Sequence, residues 1–171
     1  MVRLAADATM WPHLRRSYRA LIHKAEREYV IASDCGHTAR SVLSFLMYQQ
    51  LHRSLAMVPR NGETYQLQRE WLLDGRALVT VAWKDPSVRG AAYWIVYKGA
   101  AYYASGAFVE DNVAHAVIWR SLLALRGLGV RNVSLGWQGI GVTEKERNIE
   151  FFKRGFGGRD VPVPVISRRC V

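Results

Sequence analysis

The sequence predicts an α+β fold, with a mixed central sheet flanked by helices. Up to about Gly75 the apolar residues are spaced three and four apart, as in helices, and after Gly75 the period becomes that of extended strands. A helix, a strand, a second helix and a final strand then follow a three-stranded meander, which gives a β-α-β unit. With 171 residues, 50% of them hydrophobic, we expect a single domain with a helical part over 1–75 and a sheet-containing core over 76–171.

The first helix is predicted over residues 11–30, where apolar side chains from Trp11 to Tyr29 form one stripe. Its other face is basic and contacts either a phosphate-bearing partner or only solvent. The basic residues are Arg15, Arg16, Arg19, Lys24 and Arg27. If this face binds a polyanionic substrate, we expect Arg15 and Arg19 to contact it, because helical spacing places them on one side.

Two further helices precede the sheet. Thr38 is the expected cap of a helix that runs to about Ala56. After a loop that contains proline and glycine, a short helix is predicted from Thr64 to the turn at Asp74 and Gly75.

Three β-branched and aromatic runs follow, over residues 77–84, 91–98 and 101–108. Short turn segments separate them, so they predict an antiparallel meander. Asp111 or Asn112 is expected to cap the long apolar helix that comes next. The remaining elements are that helix, a strand, a helix and an edge strand with two prolines, over residues 113–126, 130–137, 145–154 and 161–166.

The chain is strongly basic, with 24 Lys and Arg against 14 Asp and Glu, a formal charge of +10. Such a balance favours a polyanionic partner, or it is a solubility charge spread over the surface. Cys35 and Cys170 fit no metal-binding pattern, so we expect unpaired thiols in a reducing compartment. The sequence shows no signal-peptide core and no long apolar stretch, which predicts a cytoplasmic protein without a transmembrane segment.

Residues 146–158, ERNIEFFKRGFGG, resemble the segment of GNAT acyltransferases in which an Asn opens a helix that ends in an aromatic residue, a basic residue and a Gly-Phe turn. The similarity is greater to the Fem-type peptidyltransferases (FemABX) and their CelD-like acetyltransferase relatives. In these proteins a helix that often carries a His and a Trp precedes a strand and a Phe-Lys-x-x-Phe-Gly motif. The corresponding residues here are His115, Trp119, Phe152 and Lys153.

The resemblance implies a GNAT-like fold and the transfer of an activated acyl group to an amine. The donor would be acyl-CoA or an aminoacyl-tRNA, and the acceptor a small molecule or a peptidoglycan precursor. Two features depart from the family. The chain has room for one of the two GNAT-like domains of Fem-type proteins, so we expect it to pair with a second copy of itself or with a partner domain. The GNAT pyrophosphate loop is replaced by GAFVEDNVAH at residues 106–115, and a partial echo, QGIGVT, lies one strand later at 138–143.

By the same resemblance, Lys153 would lie near the reacting centre, where a cation stabilises the anionic oxygen of the tetrahedral transition state. Phe152 would lie beside the donor, and His115 and Trp119 would help to bind it. The alternatives are structural. Lys153 suits the C-terminal end of a helix dipole in any fold, Phe152 fits a hydrophobic core, and a buried histidine is often only a satisfied core residue.

Two more candidates come from the residues alone. Tyr103 is chosen among the tyrosines of the meander as a phenol that faces a cleft and protonates a leaving group. Glu110 is a candidate general base for the amine. The helix that begins near Val113 offers an anion site at its N-terminus, although Glu110 and Asp111 would repel a diphosphate there.

No metal site is predicted, because the histidines show no ligand spacing to each other or to a cysteine. Three functions remain open at this point: an acyl or aminoacyl transferase, a binding or regulatory module that keeps the fold without catalysis, and a basic nucleic-acid-binding domain. For the first, the charge favours aminoacyl-tRNA as donor and the solitary GNAT unit favours acyl-CoA.

Overall fold

A computed structural model describes residues 1–3, 10–55, 60–136 and 143–161. The described residues form one six-stranded sheet with the order β1-β6-β5-β4-β3-β2. The elements are, in chain order, β1 Val2–Arg3, α1 Met10–His13, α2 Arg16–Glu28, β2 Val30–Asp34, α3 Ala39–Leu55, α4 Gly62–Leu73, β3 Ala77–Lys84, β4 Ser87–Tyr97, β5 Ala100–Phe108, α5 Asp111–Gly127, β6 Asn132–Ser134 and α6 Glu144–Arg154.

Helices cover both faces of the sheet. Successive side chains of its central strands point to opposite sides, so each strand packs against helices on both faces. In β3, Leu78 and Ala82 pack with α2 and α5, whereas Val79 and Val81 pack with α3 and α4. Both faces are therefore apolar, and β3 is buried over almost its whole length. No helix in the described ranges is both long and apolar enough to cross a bilayer.

The mixed sheet and the antiparallel meander are confirmed, and the structure adds strand β2. Residues 30–34 pair antiparallel with β3. The spacing of the residues shows only a break there, although residues 14–32 resemble the basic helix and strand that join the two halves of Fem-type proteins. Strand β2 has one neighbour and is half-buried, so its residues lack a clear two-residue period. The predicted edge strand at 161–166 lies, apart from Val161, outside the described residues.

The helix predicted over 11–30 is divided into α1 and α2. Arg15 has an extended backbone at the break, and its N–H donates a hydrogen bond of 2.8 Å to the carbonyl of Gly155, in the turn after α6. A tertiary contact therefore interrupts the helix, although the helical spacing of its apolar residues continues through the break.

The predicted caps have mixed outcomes. Thr38 caps α3 as predicted, since its hydroxyl accepts from the N–H of Ser41 at 3.0 Å. The helix predicted from Thr64 begins two residues earlier and is capped by Asn61. The prediction of Asp111 or Asn112 as the cap of α5 is wrong: Glu110 occupies the N-cap position, and its side chain makes no capping bond.

Beyond Tyr102, one edge of β5 pairs with no strand that the structure describes. Strand β6 pairs with β5 in parallel over three residues, from Ala100 opposite Asn132 to Tyr102 opposite Ser134, while β5 continues to Phe108. On its other side β5 has a bulge, where Ala104 has no partner residue on β4. We call the point where the two parallel strands separate the β5–β6 fork. In the described part of the chain, no strand pairs with β5 beyond it.

Candidate functional site

A cavity of about 950 Å³ lies between α2, the N-terminal end of α5, and α6. Its size is typical of a small-molecule site. Its walls are aromatic and apolar, with polar groups at the helix ends. Its lining includes Tyr18, Phe108, Glu110, Asp111, His115, Glu144, Lys145, Asn148, Phe151 and Phe152.

Helix α6 is fixed at both ends. Thr143 and Glu146 form a capping box at its start, in which each side chain accepts from the other residue's N–H. After the helix, Gly155 packs directly against the ring of Tyr18, and a Cβ at this position would overlap that ring. The Tyr18 hydroxyl donates to the carbonyl of Phe152 at 3.1 Å. Gly157, rather than Gly155, adopts the positive φ that ends the helix.

His115 lies between α5, α2 and α6 and is only 6% exposed. Its ring contacts Tyr18 at 4.1 Å and Phe152 at 5.0 Å between centroids. Its Nδ1 is hydrogen-bonded to the main-chain carbonyl of Asp111. A carbonyl only accepts, so Nδ1 carries the proton and Nε2 keeps a free lone pair. Burial lowers the pKa of His115, which keeps the ring neutral at neutral pH.

Glu110 has partners on two other elements. Both of its carboxylate oxygens lie 3.2 Å from the Tyr29 hydroxyl, which donates to them, and Arg89 approaches to 3.8 Å. Burial and then this hydrogen bond raise the pKa of Tyr29. The charge of Glu110 is thus partly compensated, which explains why its side chain does not cap α5.

Lys153 is half-buried at the β5–β6 fork. A Cβ built on Gly136, which follows β6, would lie 3.7 Å from Lys153 Nζ and 3.5 Å from the Tyr102 hydroxyl. Burial lowers the pKa of Lys153. The structure therefore places an ammonium, a phenol and an open strand edge around one point.

The other predicted site residues lie elsewhere. Tyr103 packs against Trp94, with 5.0 Å between ring centroids, and burial raises its pKa. Trp119 is 7% exposed and contacts the ring of Trp11. Arg19 donates to the carbonyl of Pro12.

Arg15 lies at the rim of the cavity. Its guanidinium is 3.5 Å from the centroid of the Phe151 ring and donates to the Tyr18 hydroxyl. The structure thus brings Glu110, His115 and Phe152 together in the cavity with Arg15 beside them, and it places Lys153 at the neighbouring fork.

Sequence reasoning missed Tyr18 and Asn148 as lining residues. Tyr18 belongs to the apolar stripe of the first helix, and nothing in that stripe distinguishes a cavity wall from core. On α6, the spacing of Lys145, Asn148 and Phe152 marks one helical face and is the signal that could have found this wall. Among the described residues, no group of three or more His, Cys, Asp or Glu side chains could hold a metal ion.

No family model and no curated protein matches the sequence. Solved structures do match. The aminoglycoside acetyltransferase AAC(6')-Iy, in complex with the bisubstrate analogue CoA-S-monomethyl-acetylneamine, superposes with a TM-score of 0.62 at 12% identity, over 83% of this chain and 99% of that one. The chain has the GNAT fold.

Two other structures with this fold are larger proteins. FemX matches with a TM-score of 0.64 at 11% identity, over 90% of this chain and 56% of its own. The C-terminal domain of a putative lysylphosphatidylglycerol synthetase from Agrobacterium fabrum matches with a TM-score of 0.60 at 14% identity, over 91% and 53%. The chain spans about half the length of these two. The similarity to the GNAT and Fem-type fold is confirmed, and identities this low carry the fold alone.

Proposed function

We propose that this protein transfers an acyl group from an activated donor to an amine. The observation that carries the proposal is the half-buried ammonium of Lys153 at the β5–β6 fork. Attack of an amine on an ester or thioester gives a tetrahedral transition state with negative charge on oxygen, and a cation held at that oxygen stabilises it. The open edge of β5 beside Lys153 offers main-chain groups that can align an extended donor.

The fold neighbours support the same class of reaction. AAC(6')-Iy is an acetyltransferase whose structure holds an analogue that joins CoA to an acetylated aminoglycoside. FemX and the synthetase domain share the fold with it. By this analogy we take acyl-CoA as the first donor to test and aminoacyl-tRNA as the second. The net charge of +10 suits either, because both are polyanions.

The test is acyl transfer by wild-type protein and a Lys153→Met variant, with acetyl-CoA and charged tRNA as donors and a panel of amines as acceptors. Methionine keeps the apolar stem that Lys153 buries and removes the charge. We expect kcat to fall by about 10²- to 10³-fold. Lys84→Met, at the exposed end of β3, is the matched control and should behave as wild type. Unchanged turnover in Lys153→Met would exclude the oxyanion role. No product and no thermal protection by either donor would identify a non-catalytic module instead.

A further inference from the structure

The cavity presents carboxylates at two helix N-termini. Glu110 and Asp111 stand at the start of α5, and Glu144 is the first residue of α6. Free N–H groups and the helix dipole usually make such ends attractive to phosphate. Here the protein's own carboxylates occupy that favourable field, and a diphosphate would add negative charge beside them. The cavity therefore does not fit the diphosphate of a nucleotide-linked donor.

The charges around the cavity leave two of these carboxylates uncompensated. Glu110 is paired with Arg89 and hydrogen-bonded to Tyr29. Asp111 and Glu144 form no ion pair or side-chain hydrogen bond with any other residue that the structure describes. The nearby cations are Lys145, on the wall, and Arg15, whose guanidinium lies against Phe151 at the rim.

The side chain of His115 independently indicates a ligand in this cavity. Only 6% of it is exposed, and its Nδ1 donates a hydrogen bond to the Asp111 carbonyl. Its Nε2 lone pair has no partner in the described part of the chain, and the ring lines the cavity. The residue is buried, but Nε2 itself is not one of the buried polar atoms that lack a partner, so it is open to the cavity. It can accept a hydrogen bond from a ligand there, and a neutral imidazole nitrogen is a base at physiological pH.

The walls suit a cation with an apolar body. Tyr18, Phe108, Phe151 and Phe152 line the cavity around His115. Aromatic faces attract an ammonium group, and their area also binds the hydrocarbon attached to it. Anionic groups, aromatic faces and one free acceptor together favour a protonated amine.

We propose that this cavity binds the acceptor amine as its ammonium ion and that His115 Nε2 takes a proton from it to give the free amine. This inference rests on the proposed acyl transfer. The neutral nitrogen then attacks the carbonyl carbon of the donor, and a C–N bond forms. The C–S or C–O bond of the donor breaks with its electron pair on the leaving atom, which takes the second proton from nitrogen. The imidazolium returns its proton to solvent.

The placement of the two centres is consistent with this step. Phe152 contacts His115 in the cavity, and the next residue, Lys153, reaches the β5–β6 fork. The cavity and the fork thus adjoin at consecutive residues of one helix, as is required if the attacking nitrogen and the developing oxyanion are to share one carbon. Helix α6 would align acceptor and donor.

Binding is tested first, without any donor, by calorimetry with benzylammonium chloride as the probe. Benzyl alcohol and inorganic pyrophosphate are the comparison ligands. We expect benzylammonium to bind more tightly than benzyl alcohol, and pyrophosphate not to compete. The double variant Asp111→Asn, Glu144→Gln should weaken benzylammonium by roughly three- to tenfold, as expected for two partly exposed charges, and leave benzyl alcohol unchanged. Glu63→Gln, in the first turn of α4, is the matched control and should change neither.

Catalysis is tested with His115→Asn, because the amide of asparagine can keep the bond to the Asp111 carbonyl while Nε2 is removed. We expect kcat/KM for the amine to fall by about 10²-fold or more at neutral pH. The defect should shrink towards about pH 10, where a primary ammonium loses its proton without help. A misfolded or merely loosened variant would show no such recovery. Burial lowers the pKa of His115, and the charged groups that act on it are Asp111, on α5, and Arg15, the residue before α2. Tyr18 on α2 and Glu144 and Lys145 on α6 line the same cavity.

The outcomes separate this inference from the proposed function. In one outcome, acyl transfer depends on Lys153 as expected, but the double variant has an unchanged KM for the amine and His115→Asn shows no recovery at high pH. That outcome would overturn the proposal that the cavity binds the ammonium ion, and it would leave the proposed acyl transfer intact. Tight, carboxylate-dependent binding of benzylammonium without acyl transfer from either donor would keep the ammonium-binding cavity and overturn the transferase. Competition by pyrophosphate would show that the cavity binds the donor.

Discussion

Polar side chains on the two faces of the sheet have different hydrogen-bond partners. On the face covered by α3 and α4, polar side chains satisfy one another: the Tyr48 hydroxyl bonds to Gln68 and Ser105, and the Tyr93 hydroxyl donates to the carbonyl of Gln68 at 2.7 Å. None of these side chains lines the cavity. On the face covered by α2 and α5, Ser121 also bonds to Thr80 within the core, but His115 Nε2 and the exposed carboxylates of Asp111 and Glu144 face the cavity. The first arrangement stabilises the fold, and the second leaves interactions for a ligand.

Gly155→Ala should give the largest effect on stability. The added methyl group would overlap the ring of Tyr18, so α2 and α6 must separate. Overpacking of this kind costs about 1–3 kcal/mol, and we expect the upper end of that range. Gly127→Ala, at the end of α5 with open space around its Cβ position, is the control and should be neutral or slightly stabilising. Urea denaturation of both variants checks this. Equal stabilities would show that the contact between α2 and α6 is loose.

A pair of hydroxyl deletions compares the two faces directly. Tyr48→Phe removes a hydrogen-bond partner from the buried side chain of Gln68 and from the half-buried hydroxyl of Ser105, and we expect a loss of about 1–3 kcal/mol in the free energy of unfolding. Tyr18→Phe removes a bond to the carbonyl of Phe152 beside the cavity, where water can replace it, so the loss should be about 1 kcal/mol or less. The reverse order would contradict the assignment of the closed face as the more stabilising one.

The smallest expected effect is on pH dependence. Burial lowers the pKa of both His52, which bonds to Tyr65 on the α3–α4 face, and His115. The unfolded state binds their protons more readily, so their contribution to stability is present above the unfolded pKa of about 6.5 and is lost as the pH falls below it. Thermal unfolding at a series of pH values from neutral to mildly acidic should show this decline, and His52→Gln and His115→Asn should each flatten it. Curves parallel to wild type would mean that neither histidine is buried in its neutral form.

The parts of the fold that the sequence predicts are those with a local signal. Strands β3 and β4 are rich in β-branched and aromatic residues, and β5 carries aromatic residues at Tyr102, Tyr103 and Phe108. Their sequences therefore predict strands without information about their neighbours. Strand β2 becomes a strand only because β3 offers it an edge, and the break at Arg15 exists only because the carbonyl of Gly155 reaches it. Both depend on contacts between residues that are distant in the chain.

The candidate site divides in the same way. Lys153, Phe152 and His115 come from a resemblance, and their roles remain predictions. A sequence pattern does not specify whether a buried side chain faces the core or a cavity. Trp119, one helical turn after His115, packs on Trp11, whereas His115 lines the cavity. The placement of α1 and α2 against α5 decides this difference, and nothing in the spacing of these helices specifies that placement.

The bond from the N–H of Arg15 to the carbonyl of Gly155 joins two walls of the cavity through their main chains. Any residue except proline supplies that N–H, so side chains on the walls can be exchanged without loss of this link. Substitutions can therefore change the side chains that line the cavity without changing the distance between its walls. Related chains could acquire different acceptors by changing a few wall residues while the same frame holds them.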